Sequence, residues 1–478
     1  MPIADDALDA LRARVRPFEE AEVELVRSVV SSPEWITEAD EAALRYALNL
    51  ARTGRVRTAD GDDVDLEPLL APYREDVLAQ LVPALLHDGG PDRRAVVHAV
   101  QNVTAHAAAW RARALAAFAG KLPPAALDRE VCEKALVLVC GGGGGVAWSY
   151  LGAFDLLEQY GLVPRFLAGT SMGSVLLLFR GRRLRWDPEE LPRSMRSLKF
   201  NTVFRFLRGE SRYGLPAAMR LHLRAGIGDL LSAPDGRPLN LEDLAIPLVV
   251  AVTGIRTGAL PRDPSYYEHL LDLRGREPRP NVITRLAAET LQALGELVAQ
   301  RDRLARIHLG ADAETRAFDA VDAVGFSSAL PGVIHYDVLR DDERMHRLIG
   351  ALLERHDVVR LVDGGLVDLL PARAAWGAVQ DGAIGSRNAF VLALEGFGPK
   401  LSQPLWYGLE QLAAQNVARN RPFVHHLRSF QRVLSPLEVV PDEALLQRAI
   451  QDGKAELHPD MGLVARMVRP FAPCWGAR

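Results

Sequence analysis

The chain has 478 residues, too many for one compact core, so two or three units are expected. Hydrophobic residues make up 48% and charged residues 25%, and the net charge of −4 speaks against nucleic-acid binding. Three cysteines, Cys132, Cys140 and Cys474, are sparse and odd in number. They give neither a disulfide framework nor a metal cluster, and they suit a reducing compartment.

No run approaches the ~18–20 apolar residues of a membrane span. The opening MPIADDALDALRARV lacks the apolar centre of a secretory signal. The expectation is a cytoplasmic protein whose membrane contact, if any, is peripheral.

Residues 1–130 read as a helical accessory domain. Apolar residues recur at helical spacing in Leu8, Leu11, Val15 and again in Ala42, Leu44, Ala47, Leu48. Ser32-Pro33 reads as a helix start, Thr58–Asp63 as a turn, and Val96–Ala119 as a helix ended by Pro123-Pro124.

The texture changes at Ala135. Ala135–Cys140 is a short continuous apolar run closed by Gly141–Gly145, the signature of a strand buried on both faces. Further strands are expected at Pro164–Ala168, Ile246–Val252, Val358–Val362 and Phe390–Leu394, with helices at Ala153–Tyr160 and Ser174–Phe179. This alternation predicts a layered α/β domain over 131–396 with a mostly parallel sheet. Two stretches interrupt it, 180–240 and 261–320, the second with a helical pattern at Val282–Ala305. Residues 397–478 read as helices broken by Pro422, Pro436, Pro441 and Pro459, with His425 and His426 inside a basic helical pattern.

Three local patterns carry chemistry. Gly169-Thr170-Ser171-Met172-Gly173 matches G-x-S-x-G between a strand and a helix, where a serine hydroxyl is exposed on a tight turn. The flanking glycines allow the chain to approach itself, and the following helix N-terminus favours a developing anion. Gly141–Gly145 follows a strand, and backbone N–H groups there can approach a carbonyl oxygen closely. A nucleotide cradle is the rival reading, but no acidic residue ends a strand about 20 residues on, and no Gly-Lys-Ser/Thr follows. Leu361-Val362-Asp363-Gly364-Gly365 places a carboxylate at a strand end. Alone it reads as an Asp-Gly turn; with Ser171 it is a candidate general base.

In this order the three elements resemble the patatin-like phospholipase family. Leu136–Gly152, Leu241–Gly258 and Ala323–Val333 also resemble that family's loop and first helix, its central strand, and its serine-alanine-proline stretch. The resemblance implies a lipid acyl hydrolase with a Ser–Asp dyad: Ser171 as nucleophile, Asp363 as base, and N–H groups around Gly143, Gly144 and Gly145 as oxyanion hole. It implies a lipid or acyl-ester substrate and needs no metal or cofactor. One departure stands out. Val146 and Ala147 occupy the place where the family usually has Arg or Lys.

Two rivals remain: a non-catalytic lipid-binding or interaction module on the same fold, and a Ser-Asp-His esterase using His425 or His426. The basic stretch Arg180–Lys199 reads as a solvated face or as a surface for anionic headgroups. Trp148 and Tyr150 read as core or as acyl-pocket lining.

Overall fold

The computed structural model describes residues 4–196, 198–206, 211–233, 235–259, 301–338, 340–396 and 407–473. Helix α1 (Asp5–Ser31) leads to α2 (Glu38–Arg52), the hairpin β1 (Arg55–Arg57) and β2 (Asp63–Asp65), and then α3 (Glu67–Gln80), α4 (Arg93–Ala117) and α5 (Pro124–Cys132). The Thr58–Asp63 turn joins the hairpin as expected. Pro123-Pro124 differs from expectation. Pro124 opens α5, because a proline at the first helical position forfeits no intrahelical hydrogen bond. Ser32-Pro33 starts only a single 3-10 turn, and α2 is capped instead by Thr37, whose hydroxyl accepts the Asp40 N–H at 3.1 Å.

Among the described residues the central sheet has seven strands. β3 (Ala135–Cys140), β4 (Phe166–Thr170), β7 (Leu248–Arg256) and β11 (Ala389–Glu395) pair in parallel. Two antiparallel strands join β7: β8 (Leu304–Leu309) and β10 (Val358–Asp363). Residues 260–300, where most of the Val282–Ala305 pattern falls, lie outside the described residues, as does Cys474. Leu304 and Ala305 belong to β8 rather than to a helix.

The C-terminal stretch is not purely helical. After α13 (Tyr407–Asn420) comes β12 (His426–Ser429), which extends the sheet in parallel beside β11. Then α14 (Glu443–Leu457) and α15 (Met461–Val468) follow. Helix α14 seats against α6 (Tyr150–Gln159) so closely that a Cβ on Gly152 would lie 2.2 Å from the Ile450 carbonyl.

Alternation along the buried strands separates two cores. Leu136, Leu138 and Cys140 face one layer, while Val137 and Val139 face the other. A further core lies among α1–α5. Helix α1 feeds all three, through Val23 and Val26, through Leu8 and Val15, and through Phe18 and Leu25. Buried ions also join the N-terminal helices to the sheet. Glu22 pairs with Arg45 at 3.0 Å and with Lys134 at 2.9 Å, and Lys134 immediately precedes β3.

The 180–240 interruption supplies α8 (Glu190–Met195), β5 (Phe204–Phe206), β6 (Ala217–Leu221) and α9 (Leu223–Ile227). β5 and β6 form a small sheet with β9 (Gly332–His335), reached through α10 (Ala320–Ser327), and α11 (Glu343–His356) and α12 (Ala372–Gln380) then precede and follow β10 in the chain.

Candidate active site

β7 brings the two ends of the site together. β4 pairs with its first half, Thr170 opposite Ala251, and β10 pairs with its second half, Asp363 opposite Val252. β8 spans Val250–Ile255, so it takes the other edge and leaves β4 and β10 to share one. They run toward each other along that edge and end at neighbouring positions. Ser171 and Asp363, far apart in sequence, therefore meet where the two strands stop.

Ser171 begins α7 (Ser171–Gly181) with a φ of +50°, a left-handed conformation that is costly for a residue bearing a Cβ. The surrounding structure holds it there. The Ser171 N–H donates to Ser327 Oγ at 2.8 Å, and Ser327 Oγ donates to the Ala251 carbonyl at 2.6 Å. Ser174 Oγ donates to the Ser171 carbonyl at 2.6 Å, and Thr170 Oγ1 to the Asp368 carbonyl at 2.7 Å. The glycines of the pentapeptide are sterically required: a Cβ on Gly173 would lie 2.3 Å from the Gly141 carbonyl oxygen, and one on Gly169 2.8 Å from Ser174 Cα.

The Ser171 hydroxyl and the Asp363 carboxyl line the same cavity, close enough for the hydroxyl to lower the carboxyl's proton affinity. Asp363 is 6% exposed. Burial pushes its carboxyl up to about 6, against the opposing pull of the Ser171 hydroxyl and the Gly365 N–H, which donates to Oδ1 at 2.7 Å. Its backbone is fixed on both sides, the N–H donating to the Ala329 carbonyl at 2.9 Å and the carbonyl accepting from Thr253 Oγ1 at 2.8 Å. Gly364 is pinned as well, since a Cβ there would lie 2.2 Å from the Ala251 carbonyl.

The glycine loop divides by role. Gly141 N–H donates to Leu394 O and Gly142 N–H to Leu369 O. Gly145 N–H donates to the Pro436 carbonyl at 3.1 Å, and Gly145 does not line the cavity beside Ser171. The Gly145 N–H is thus engaged within the fold and away from that cavity, unlike the expectation for it. Gly143 and Gly144, with φ of +146° and +57°, do line that cavity, and their N–H groups have no acceptor among the described residues. Gly144 and Gly145 are dictated by packing too, because a Cβ on either would lie within 2.2 Å of the Pro436 or Ser435 carbonyl oxygen. Trp148 reinforces this contact by donating from Nε1 to the Glu438 carbonyl at 3.2 Å.

Ser171 and Asp363 open on an apolar cavity of about 360 Å³. Val175, Leu176 and Phe179 of α7 form one side, and Met219, Leu221 and Leu223 of the 180–240 interruption another. Pro436, Leu437, Val439 and Val440 complete the wall near the glycine loop. No Lys, Arg or His side chain lines the cavity among the described residues. Val146 is buried and directed at Gly396. Trp148 lines the cavity, whereas Tyr150 is core, packed on Phe430.

The histidines expected for a three-residue arrangement lie elsewhere. His425 Nε2 is 3.0 Å from Glu19, its Nδ1 accepts the Val391 N–H at 2.9 Å, and His426 Nε2 is 3.2 Å from Asp460. Neither lines the cavity. The basic stretch is largely spoken for within the molecule. Arg180 is buried on the Arg183 and Leu184 carbonyls, Arg182 pairs with Glu190, Arg185 with Glu158, and Arg196 with Glu443. No group of three or more His, Cys, Asp or Glu side chains is arranged to hold a metal, and no helix is long and apolar enough to cross a membrane, among the described residues.

Sequence reasoning missed Thr253, Thr170 and Asp368 as supports of the site. Ser327 was visible only as part of a resembling stretch, without a role.

Comparison with known proteins gives two findings. The family model described as patatin-like phospholipase matches residues 138–376. Lysophospholipase NTE1 of Phaeosphaeria nodorum is 37% identical over 75 residues, which is 16% of this chain and only 5% of that protein.

Proposed function

The chain belongs to the patatin-like phospholipase family, whose model spans half its length, and from that premise we propose a serine-dependent lipid acyl hydrolase working through Ser171 and Asp363. The observation that supports this reading is the meeting of Ser171 and Asp363 at the ends of β4 and β10, where both line one apolar cavity.

In this scheme Asp363 takes the Ser171 proton as Oγ attacks the ester carbonyl. The tetrahedral oxyanion accepts the free N–H groups of Gly143 and Gly144. One such donor is typically worth about 3–4 kcal/mol to the transition state. Collapse breaks the ester bond, and the leaving alcohol takes the proton back from Asp363. Water then gives its proton to Asp363 and attacks the acyl-serine; collapse releases the fatty acid, and Ser171 Oγ takes the proton back from Asp363. With no cation lining the described cavity, the burden of stabilising the anion falls on these N–H groups and on the N-terminus of α7. The raised affinity of Asp363 for protons suits a base that must accept and return one in each half-reaction.

The name of the matched relative and the apolar lining both point to acyl lipids as substrates. The test is fatty-acid release from vesicles of phosphatidylcholine, from lysophosphatidylcholine and from a neutral monoacylglycerol, by wild type and Ser171→Ala. Release from at least one lipid, lost in the variant, is expected. Equal release by both proteins, or none by wild type, defeats the proposal.

A further inference from the structure

The cavity does more than admit a lipid: it has a measurable length. The face of α7 that lines it carries Ser171, Val175 and Phe179, each four residues apart. At about 1.5 Å per residue, Val175 stands about 6 Å and Phe179 about 12 Å along the axis from Ser171. The three residues line one continuous cavity, so an acyl chain bound at Ser171 has a path along this face.

Beyond Phe179 the chain turns back over the end of the helix. Helix α7 ends at Gly181, where the buried Arg180 guanidinium binds the Arg183 and Leu184 carbonyls and folds the chain across the helix end. Arg182 then pairs with Glu190 at 2.8 Å, which fixes the start of α8 to the end of α7. Leu191, the next residue, is buried and lines the cavity. Phe179 and Leu191 therefore line the cavity where α7 ends, and Ser171 lines it where α7 begins.

We propose that Phe179 and Leu191 form the stop of an acyl slot and set the enzyme's chain-length preference at about ten to twelve carbons. An extended chain advances about 1.3 Å per bond, so about 12 Å holds about nine bonds beyond the ester carbonyl. Longer chains have to displace the Phe179 ring or leave methylenes outside. The inference rests on the acyl hydrolase reading, since it takes Ser171 as the site of attack.

The test measures kcat/KM for p-nitrophenyl esters of four to sixteen carbons with wild type, Phe179→Ala, Leu191→Ala and Val175→Phe. Wild type is expected to peak at about ten to twelve carbons. Phe179→Ala and Leu191→Ala each open the stop, and the sixteen-carbon ester gains about tenfold relative to the ten-carbon ester. Val175→Phe blocks the slot one turn from Ser171 and moves the optimum to about four to six carbons. Ratios within one protein cancel the folded fraction, so a poorly folding variant still reports on selectivity, and two independent stop variants guard against losing either. A wild-type optimum at sixteen carbons, or active variants that keep the wild-type profile, overturns the stop while leaving the hydrolase reading intact. Absence of hydrolysis of every ester by wild type overturns both.

Discussion

Asp363→Asn is expected to make the protein more stable, and to do so in a pH-dependent way. The folded protein binds the Asp363 proton more tightly than the unfolded chain does, with the carboxyl raised from 3.8 to about 6 by burial. Below about pH 4 the group is protonated in both states and exerts no penalty. Between about 4 and 6 the folded state holds the extra proton, so stability falls as pH rises. Above 6 the folded protein carries a buried carboxylate, and the full penalty, about 3 kcal/mol, is in force. Asparagine keeps the shape and can still meet Ser171 and the Gly365 N–H, but it does not ionise. Urea unfolding of both proteins from pH 4 to pH 8 gives the difference directly, and other titrating groups cancel in it. The variant should gain up to about 3 kcal/mol at pH 8 and only about 0.5 kcal/mol at pH 4. A variant that is less stable than wild type at pH 8, or a difference constant across the range, refutes the assignment of a buried carboxylate with a raised proton affinity.

Other outcomes follow from the same geometry. Because the base must be ionised, kcat/KM should rise with pH through about 6 and level off above it, and stopped assays across pH 4.5–8 will show the inflection. Ser327→Ala removes the acceptor of the Ser171 N–H, and it should lower kcat by about tenfold or more with KM nearly unchanged in steady-state kinetics. Gly173→Ala forces a methyl to within 2.3 Å of a backbone oxygen, so chemical unfolding should register a loss of about 2 kcal/mol or more.

Much of the sheet was legible because its strands are buried on both faces and read as unbroken apolar runs. Ala135–Cys140 and Phe390–Leu394 are of this kind. β12 was not, because His426-Leu427-Arg428-Ser429 is only half-buried along its whole length. A polar edge strand gives no apolar run to read, and the flanking periodicity reads as helix.

The candidate site was legible in its parts and not in its assembly. The pentapeptide announces a tight turn, and Asp363-Gly364-Gly365 announces another. Their meeting depends on β4 and β10 sharing one edge of β7, a pairing that no local pattern encodes. The glycine loop shows the same gap. Its glycines were read for access to a carbonyl, yet Gly145 is glycine because the backbone at Ser435–Glu438, far along the chain, presses against it. That segment lies beyond residue 376, outside the family match, and still forms part of the cavity wall.

The central claim is that Ser171 is the nucleophile and Asp363 its base. Mass spectrometry of the protein after treatment with a fluorophosphonate ester tests it most directly. One phosphonyl adduct on Ser171 is expected in wild type, none in Ser171→Ala, and much slower modification in Asp363→Asn. An adduct that persists on another residue in Ser171→Ala, or an Asp363→Asn rate equal to wild type, contradicts the account.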